Sequence, residues 1–178
     1  CAAIGNIFWN SRMLAITCQG KYADLLERVL YNGFLAGVSL SGDKYFYENP
    51  LAYNGKPYYD PWHEFENRCL YQRKLWHDCT CCPPNVQRFL ASLGNYFYST
   101  SPEGLWVHLY DNSELNWQID GVPVQLVQTG SYPWDGKLSI QLKLPKLHEF
   151  SLFLRLPGWA ENYTLLVDGE KYEAELRD

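Results

Sequence analysis

The chain has 178 residues and a formal net charge of −5, so it is long enough for one domain or two small ones with a buried core. No stripe of Lys and Arg stands out, which argues against nucleic acid as a partner, because phosphate contacts need clustered cations. No apolar run approaches the roughly 20 residues of a membrane helix, and no leader segment is visible. The chain opens on Cys1 without an initiator methionine, and we therefore expect a piece of a longer protein.

The first part of the chain has the periodicity of helices. Apolar residues recur at gaps of three and four over residues 1–17 and again over 21–35, which predicts two amphipathic helices. Gly20 between them suits a helix end, and so short a connection predicts an antiparallel pair. Over residues 37–47 two short runs flank the turn Ser41-Gly42-Asp43, which predicts a β-hairpin.

A long loop rich in aromatic residues, Pro and Gly follows at residues 54–68. Loops of this length are uncommon in compact domains unless they have a function. Glu48, Glu64 and Glu66 are the carboxylates to test first for acid/base chemistry. For each of them, a solvated or salt-bridged carboxylate is the commoner role.

The densest chemical signal is the run WHDCTCCPPN at residues 76–85. Apolar residues continue at helical spacing over 85–99, which predicts a third helix. Because proline suits the first helical position, Cys81 and Cys82 are expected just ahead of a helix N-terminus, where the helix dipole favours a thiolate. A thiolate is both a ligand for soft metals and a nucleophile.

Three interpretations of these cysteines stay open from the residues alone. In the first interpretation the thiols are buried packing groups, because cysteine is among the most buried residue types. In the second, Cys79 and Cys82 form a disulfide in an oxidising compartment. In the third, the thiols form a metal or reactive-thiol site. The adjacent pair Cys81-Cys82 lacks the C-x-x-C spacing of common zinc modules, so spacing does not decide among them.

Beyond the polar break at residues 99–104 the helix signals vanish and the apolar period becomes two. The strands predicted from this period cover residues 104–110, 113–119, 122–129, 137–144, 149–156, 164–167 and 171–176. Several short strands at close spacing predict a β-sandwich. Tyr132-Pro133-Trp134 and Pro157-Gly158-Trp159 would stack on a sugar or, more commonly, pack at corners of the sheets.

A set of motifs runs in order along nearly the whole chain: Cys1-Ala2, KYAD at 21–24, LYNG at 30–33, YFYENPL at 45–51, CCPPN at 81–85, SYPWDG at 131–136 and LRLPGWA at 154–160. Together these motifs resemble glycoside hydrolase family 127, the β-L-arabinofuranosidase-like proteins.

The resemblance implies an α+β multidomain fragment. Residues 1–101 would be the C-terminal part of an (α/α)6 barrel, and residues 102–178 most of an antiparallel β-sandwich. The implied activity is retaining hydrolysis that releases L-arabinofuranose, with zinc held by a glutamate and three cysteines.

The resemblance also assigns residues. On this sequence Cys81 matches the nucleophile, Cys1 and Cys82 match the other thiolate ligands of the zinc, and Tyr47 matches a residue that contacts the sugar. The zinc would keep the Cys81 thiol ionised at neutral pH, which a nucleophile needs.

Two glutamates of the family site have no counterpart here. The ligand glutamate of the family lies two residues before its first cysteine, and the acid/base glutamate lies further upstream. The resemblance therefore implies that the longer protein is the enzyme and that this fragment alone is inactive. Cys18 and Cys79 match no catalytic position, and we interpret them as packing residues.

The expected partner is a carbohydrate, an L-arabinofuranoside, with no nucleic acid and no membrane. A homodimer of the longer protein is a further expectation. Free thiols favour the cytoplasm, while the bacterial periplasm stays open. Two other functions also stay open: a non-catalytic module stabilised by zinc, and a carbohydrate-binding β-sandwich with a vestigial helical half.

Overall fold

A computed structural model describes residues 1–47, 72–77 and 81–177 of the chain. The chain divides into two compact units. The first unit consists of Cys1–Met13 and Leu25–Ala91, and the second of Leu14–Asp24 and Ser92–Asp178. Among the described residues, no helix combines the length and the apolar character that crossing a membrane requires.

Two of the three predicted helices lie at the start of the chain, as α1 (Ala2–Thr17) and α2 (Gly20–Val29). The second is shorter than predicted, because the backbone continues as a π-helical turn over Leu30–Phe34 and a 3-10 turn over Leu35–Gly37. The π-helical turn contains Asn-Gly, and both residues are weak helix formers.

The third helix, α3 (Cys82–Ala91), begins and ends earlier than predicted. Its first turn holds both prolines, whose missing N–H groups would have no intrahelical partner there. Beyond it, a 3-10 turn at Leu93–Tyr96 leads into strand β1 (Tyr98–Ser101), which the sequence analysis did not predict. The residues Gly94 and Asn95 disfavour a continued α-helix, and the following Tyr, Ser and Thr tolerate a strand.

The predicted hairpin at residues 37–47 is only a single β-bridge between Val38 and Tyr45. Its turn is held by side chains, since Ser39 Oγ accepts from the Lys44 N–H at 3.0 Å and lies 2.9 Å from Ser41 Oγ. Side-chain bonds of this kind compete with regular strand pairing. The prediction of two paired strands here is therefore wrong beyond the one bridge.

Aromatic packing around Phe89 forms the core of the first unit. Phe89 on α3 is fully buried and meets Phe34 edge-to-face at 4.8 Å between ring centroids and Phe8 at 6.1 Å. The buried apolar residues of this unit are Ile4, Ile7, Leu26, Leu30, Phe34, Cys82 and Phe89.

The second unit is built from strands. After β1 these are β2 (Gly104–Val107), β3 (Ser113–Ile119), β4 (Val122–Gly130), β5 (Leu138–Lys143), β6 (Ser151–Leu154), β7 (Leu166–Val167) and β8 (Glu170–Lys171). They pair in the orders β1-β2-β6, β3-β4-β5 and β7-β8. The predicted strands thus form, most of them shorter than predicted, and the α+β class is confirmed.

All of these pairings are antiparallel except β2 with β6, which run parallel. The prediction of purely antiparallel pairing is wrong at this point. Gly104 at the start of β2 makes the close approach of the two strands feasible. It has a φ of 152°, and an added Cβ would lie 1.9 Å from the Ser151 carbonyl oxygen.

A buried ion pair links Asp24 of α2 to Arg155 in the segment after β6. Arg155 Nη1 donates to Asp24 Oδ1 at 2.6 Å, and Arg155 Nε donates to the His108 carbonyl at 2.5 Å. The Gly158 N–H donates to Asp24 Oδ2 at 3.0 Å, and Tyr110 Oη donates to the Arg155 carbonyl. The Arg155 side chain is 3% exposed, so its charge depends on these partners for compensation.

The imidazole of His108 is buried beside this pair and hydrogen-bonded to Ser99 Oγ at 2.6 Å. Burial and, to a smaller extent, the nearby positive charge of Arg155 together lower the pKa of His108 to about 4. The folded protein therefore keeps this histidine neutral at pH values where the unfolded chain protonates it.

We expect acid to destabilise the protein through His108. Between pH 6.5 and about 4 the unfolded state binds the extra proton, so the free energy of unfolding should fall as the pH falls, by about 3 kcal/mol across the window. Urea unfolding at several pH values measures this slope. His108→Gln should remove this contribution, while Ser99→Ala, which keeps the imidazole, should retain it. Equal slopes for His108→Gln and wild type would contradict the assignment.

Candidate metal and thiol site

Two helix N-termini of the first unit bring three cysteines together. Cys1 immediately precedes α1, and its carbonyl accepts from the Gly5 N–H at 2.9 Å. Cys82 is the first residue of α3, and Cys81 immediately precedes it. The sequence analysis placed both thiols just ahead of the helix, and the structure places Cys82 on its first turn. Cys82 is buried, whereas Cys1 and Cys81 are exposed.

The spacing of the sulfurs fits a tetrahedral zinc ion. Sγ of Cys82 lies 3.5 Å from Sγ of Cys1 and 3.7 Å from Sγ of Cys81, and all three sulfurs lie within 4.8 Å of one another. Thiolates bound to zinc at about 2.3 Å in a tetrahedron lie about 3.8 Å apart. Neither of these two pairs is a disulfide, because an S–S bond is only about 2.05 Å long.

The described ranges, 1–47, 72–77 and 81–177, add no histidine or carboxylate to this group of three sulfurs. Three thiolates leave one position of a tetrahedral zinc for another ligand, and structural zinc sites normally have four protein ligands. The carboxylates Glu48, Glu64 and Glu66 and the thiol of Cys79 lie outside the described residues.

Tyr47, the residue predicted to contact the sugar, is half-buried, and its ring lies 5.5 Å from the ring of His77. His77 is buried, and its ring also meets the ring of Tyr45 at 4.9 Å. From the residues alone, His77, Asp78 or water could complete the zinc ligands, but the cluster found among the described residues contains no histidine, and Asp78 lies outside the described residues. The packing of His77 on the two tyrosines was not predicted. The available signal was its place in the cysteine run, but an isolated histidine gives no indication of its neighbours.

Cys18 is a free thiol outside this cluster and serves as a reference for the reactivity of the three clustered cysteines. Cys18 is exposed at the connection between α1 and α2, with a φ of 54°. The cysteine cluster found among the described residues does not include it. Its exposure contradicts the interpretation of Cys18 as a packing residue.

Helices that bring three cysteine sulfurs together, followed along the chain by paired strands, define a protein with a cysteine cluster that could bind a metal ion and a β-rich part. Comparison with known proteins is more specific. The model of the β-L-arabinofuranosidase GH127 catalytic domain matches residues 1–95, and the model of the GH127 middle domain matches residues 104–178. The chain belongs to the GH127 family of glycoside hydrolases.

Similar proteins agree with this assignment. A non-reducing end β-L-arabinofuranosidase of Bifidobacterium longum subsp. longum is 33% identical over all of this chain and 27% of its own length. The crystal structure of Ara127N-Se, a GH127 β-L-arabinofuranosidase from Geobacillus stearothermophilus T6, is 40% identical with a TM-score of 0.82, over 97% of this chain and 27% of its own.

A second solved structure, titled the GH127 β-arabinofuranosidase BT3674, is 36% identical with a TM-score of 0.81 and covers 99% of this chain. This chain covers 28% of that structure. The chain therefore spans a little over a quarter of the length of the relatives it matches.

Proposed function

We propose that this chain is part of a retaining β-L-arabinofuranosidase in which Cys81 is the nucleophile. The observation that carries the proposal is the convergence of three sulfurs at zinc-like spacing at the N-termini of two helices. Family membership supplies the substrate class, since the similar proteins are named as β-L-arabinofuranosidases. The partner is a carbohydrate with an L-arabinofuranosyl group.

The exposure of the three thiols supports the division of roles. Cys82 is buried and fits a ligand that never meets substrate, whereas Cys81 is exposed and can reach a sugar. Bound zinc would hold the thiols of Cys1, Cys81 and Cys82 in their ionised form. Cys81 Sγ would attack the anomeric carbon as the bond to the leaving oxygen breaks, and that oxygen would take a proton from a general acid. In the second step water would give a proton to the conjugate base of that acid and attack the anomeric carbon from the face opposite the sulfur. The C–S bond then breaks, Cys81 returns as a thiolate and the sugar leaves with retained configuration.

We further propose that residues 1–101 are the C-terminal part of an (α/α)6 barrel and residues 102–178 belong to a β-sandwich. The change from helices to strands near Tyr98 and the two family matches, at 1–95 and 104–178, support this division. Trp9 and Ile16 on α1 are 65% and 76% exposed, as expected for a helix that further barrel helices would cover. A homodimer of the longer protein stays a prediction.

We expect the purified chain to bind zinc weakly through the three thiolates, because the described residues offer three of the usual four ligands. The Cys81→Ala/Cys82→Ala double variant should lose this binding, whereas Cys18→Ala should keep it. Cobalt substitution, followed by its thiolate absorption, and metal analysis of the dialysed protein measure the binding. If the double variant has the same zinc content as wild type, Cys81 and Cys82 are not ligands of the metal.

The main alternative is a non-catalytic module in which the metal only cross-links the helices. Zinc binding without any covalent chemistry in the longer protein would favour that alternative. Mass spectrometry of the longer protein with an aryl β-L-arabinofuranoside distinguishes the two, because only the enzyme should form a sugar adduct on Cys81.

A further inference from the structure

We propose that His77 is a positioning residue that holds Tyr47 in place and, through its nearness along the chain, limits the position of Cys81. The inference rests on the proposed function, because Tyr47 is the residue expected to contact the sugar. His77 itself is not proposed to touch substrate or metal. Three observations on the described residues carry the argument.

The first observation concerns the segment 72–77, which is fastened to the residues before Tyr47. Lys74 and Tyr45 exchange two backbone hydrogen bonds, of 3.0 and 3.1 Å. Arg73 Nη2 donates to the Ala36 carbonyl at 2.7 Å, and its guanidinium lies 4.4 Å from the ring centroid of Phe46. The segment 72–77 is therefore held against Ala36, Tyr45 and Phe46 by contacts that do not involve the His77 side chain.

The second observation is the hydrogen bond of the imidazole. His77 Nε2 lies 3.1 Å from the Tyr45 carbonyl oxygen. A carbonyl oxygen only accepts, so Nε2 carries the proton and donates. The side chain is 7% exposed, and this bond fixes both the tautomer and the plane of the ring. The imidazole is consequently a rigid surface for its neighbours.

The third observation is that two tyrosine rings pack on this surface. The His77 ring meets Tyr45 at 4.9 Å with an interplanar angle of 63°, and Tyr47 at 5.5 Å with an angle of 54°. Both contacts lie within the range where aromatic rings attract one another. Removing the imidazole would leave space beside Tyr47, so its ring would lose a defined position. Cys81 lies only a few residues after His77 in the sequence, so anchoring of His77 also limits the position of Cys81.

A double-mutant cycle in the longer enzyme tests the inference. His77→Ala and Tyr47→Ala should each raise KM for an aryl β-L-arabinofuranoside by about tenfold or more, with a smaller change in kcat, because misplacement of a positioning group by about 1 Å can cost up to about a hundredfold. If His77 acts through Tyr47, the double variant should be no worse than the worse single variant. Additive effects on KM would overturn the inference. His77→Phe keeps a ring but cannot donate to the Tyr45 carbonyl, so its KM should lie between those of wild type and His77→Ala.

A measurement on the 178-residue chain is independent of turnover. His77→Ala should change the rate at which iodoacetamide alkylates Cys81, while the rate at Cys18 in the same molecule stays constant; peptide mass spectrometry follows both. A Cys81 rate that does not change would overturn the anchoring of that cysteine. If the wild-type longer protein has no arabinofuranosidase activity, the proposed function fails, and the alkylation experiment alone decides the role of His77.

Discussion

Replacing Cys81 by serine in the longer protein should abolish hydrolysis of an aryl β-L-arabinofuranoside, with a loss on the order of 10³-fold or more in kcat/KM. A serine hydroxyl is a far weaker nucleophile than a thiolate and a poorer ligand for a soft metal. The assay is release of the aryl group, combined with mass spectrometry of the trapped protein. Wild type should carry a sugar adduct on Cys81, and the variant should carry none.

Cys18→Ser is the matched control for this experiment, because Cys18 is an exposed free thiol outside the cluster. It should leave turnover unchanged. The 178-residue chain alone serves as the negative control. The family resemblance places the general acid outside this chain, and general acid catalysis alone contributes about 10²–10⁴-fold. An adduct on a residue other than Cys81, or full activity of Cys81→Ser, would show that the nucleophile is assigned to the wrong position.

Asp24→Asn should lower the free energy of unfolding by about 2–3 kcal/mol. The substitution leaves the Arg155 guanidinium, which is 3% exposed, without its compensating charge. This loss of unfolding free energy is smaller than the loss for a fully buried ion pair, because the Asp24 side chain is 24% exposed and water can screen part of the interaction. Urea unfolding followed by circular dichroism measures the change.

The chain offers an exposed ion pair for comparison. Arg177 Nη1 lies 3.1 Å from Glu103 Oε2, with side chains that are 53% and 62% exposed. Glu103→Gln should therefore cost less than about 1 kcal/mol. Similar losses for Asp24→Asn and Glu103→Gln would mean that burial of Arg155 does not determine the energy of its pair.

The candidate site could be predicted from the sequence because its residues are neighbours in the chain or belong to a recognisable motif. Two adjacent thiols followed by two prolines specify thiols at a helix N-terminus, since proline fits only the first turn. The residues of CCPPN, together with the other motifs, also indicated the family. The joining of Cys1 to Cys82, which are 81 positions apart, came only from the resemblance, because no local rule relates the ends of two separate helices.

The strands of the second unit were predictable where a turn fixes the register. Ser113–Ile119 has the predicted bounds, and Val122–Gly130 extends one residue past them, with Asp120 and Gly121 at positive φ between them. An Asp-Gly turn of this kind aligns both strands, so the alternation of apolar residues suffices.

The sequence by itself determined the three helices, the paired strands β3 and β4, the class of fold and the adjacent thiols of Cys81 and Cys82, because each depends on spacing within one segment. Only the tertiary structure decided the parallel pairing of β2 with β6, the burial of Arg155 against Asp24, and the packing of His77 on Tyr45 and Tyr47. Each of these joins segments that are distant along the chain. Their energies come from burial and from close approach in space, which periodicity within a segment does not encode.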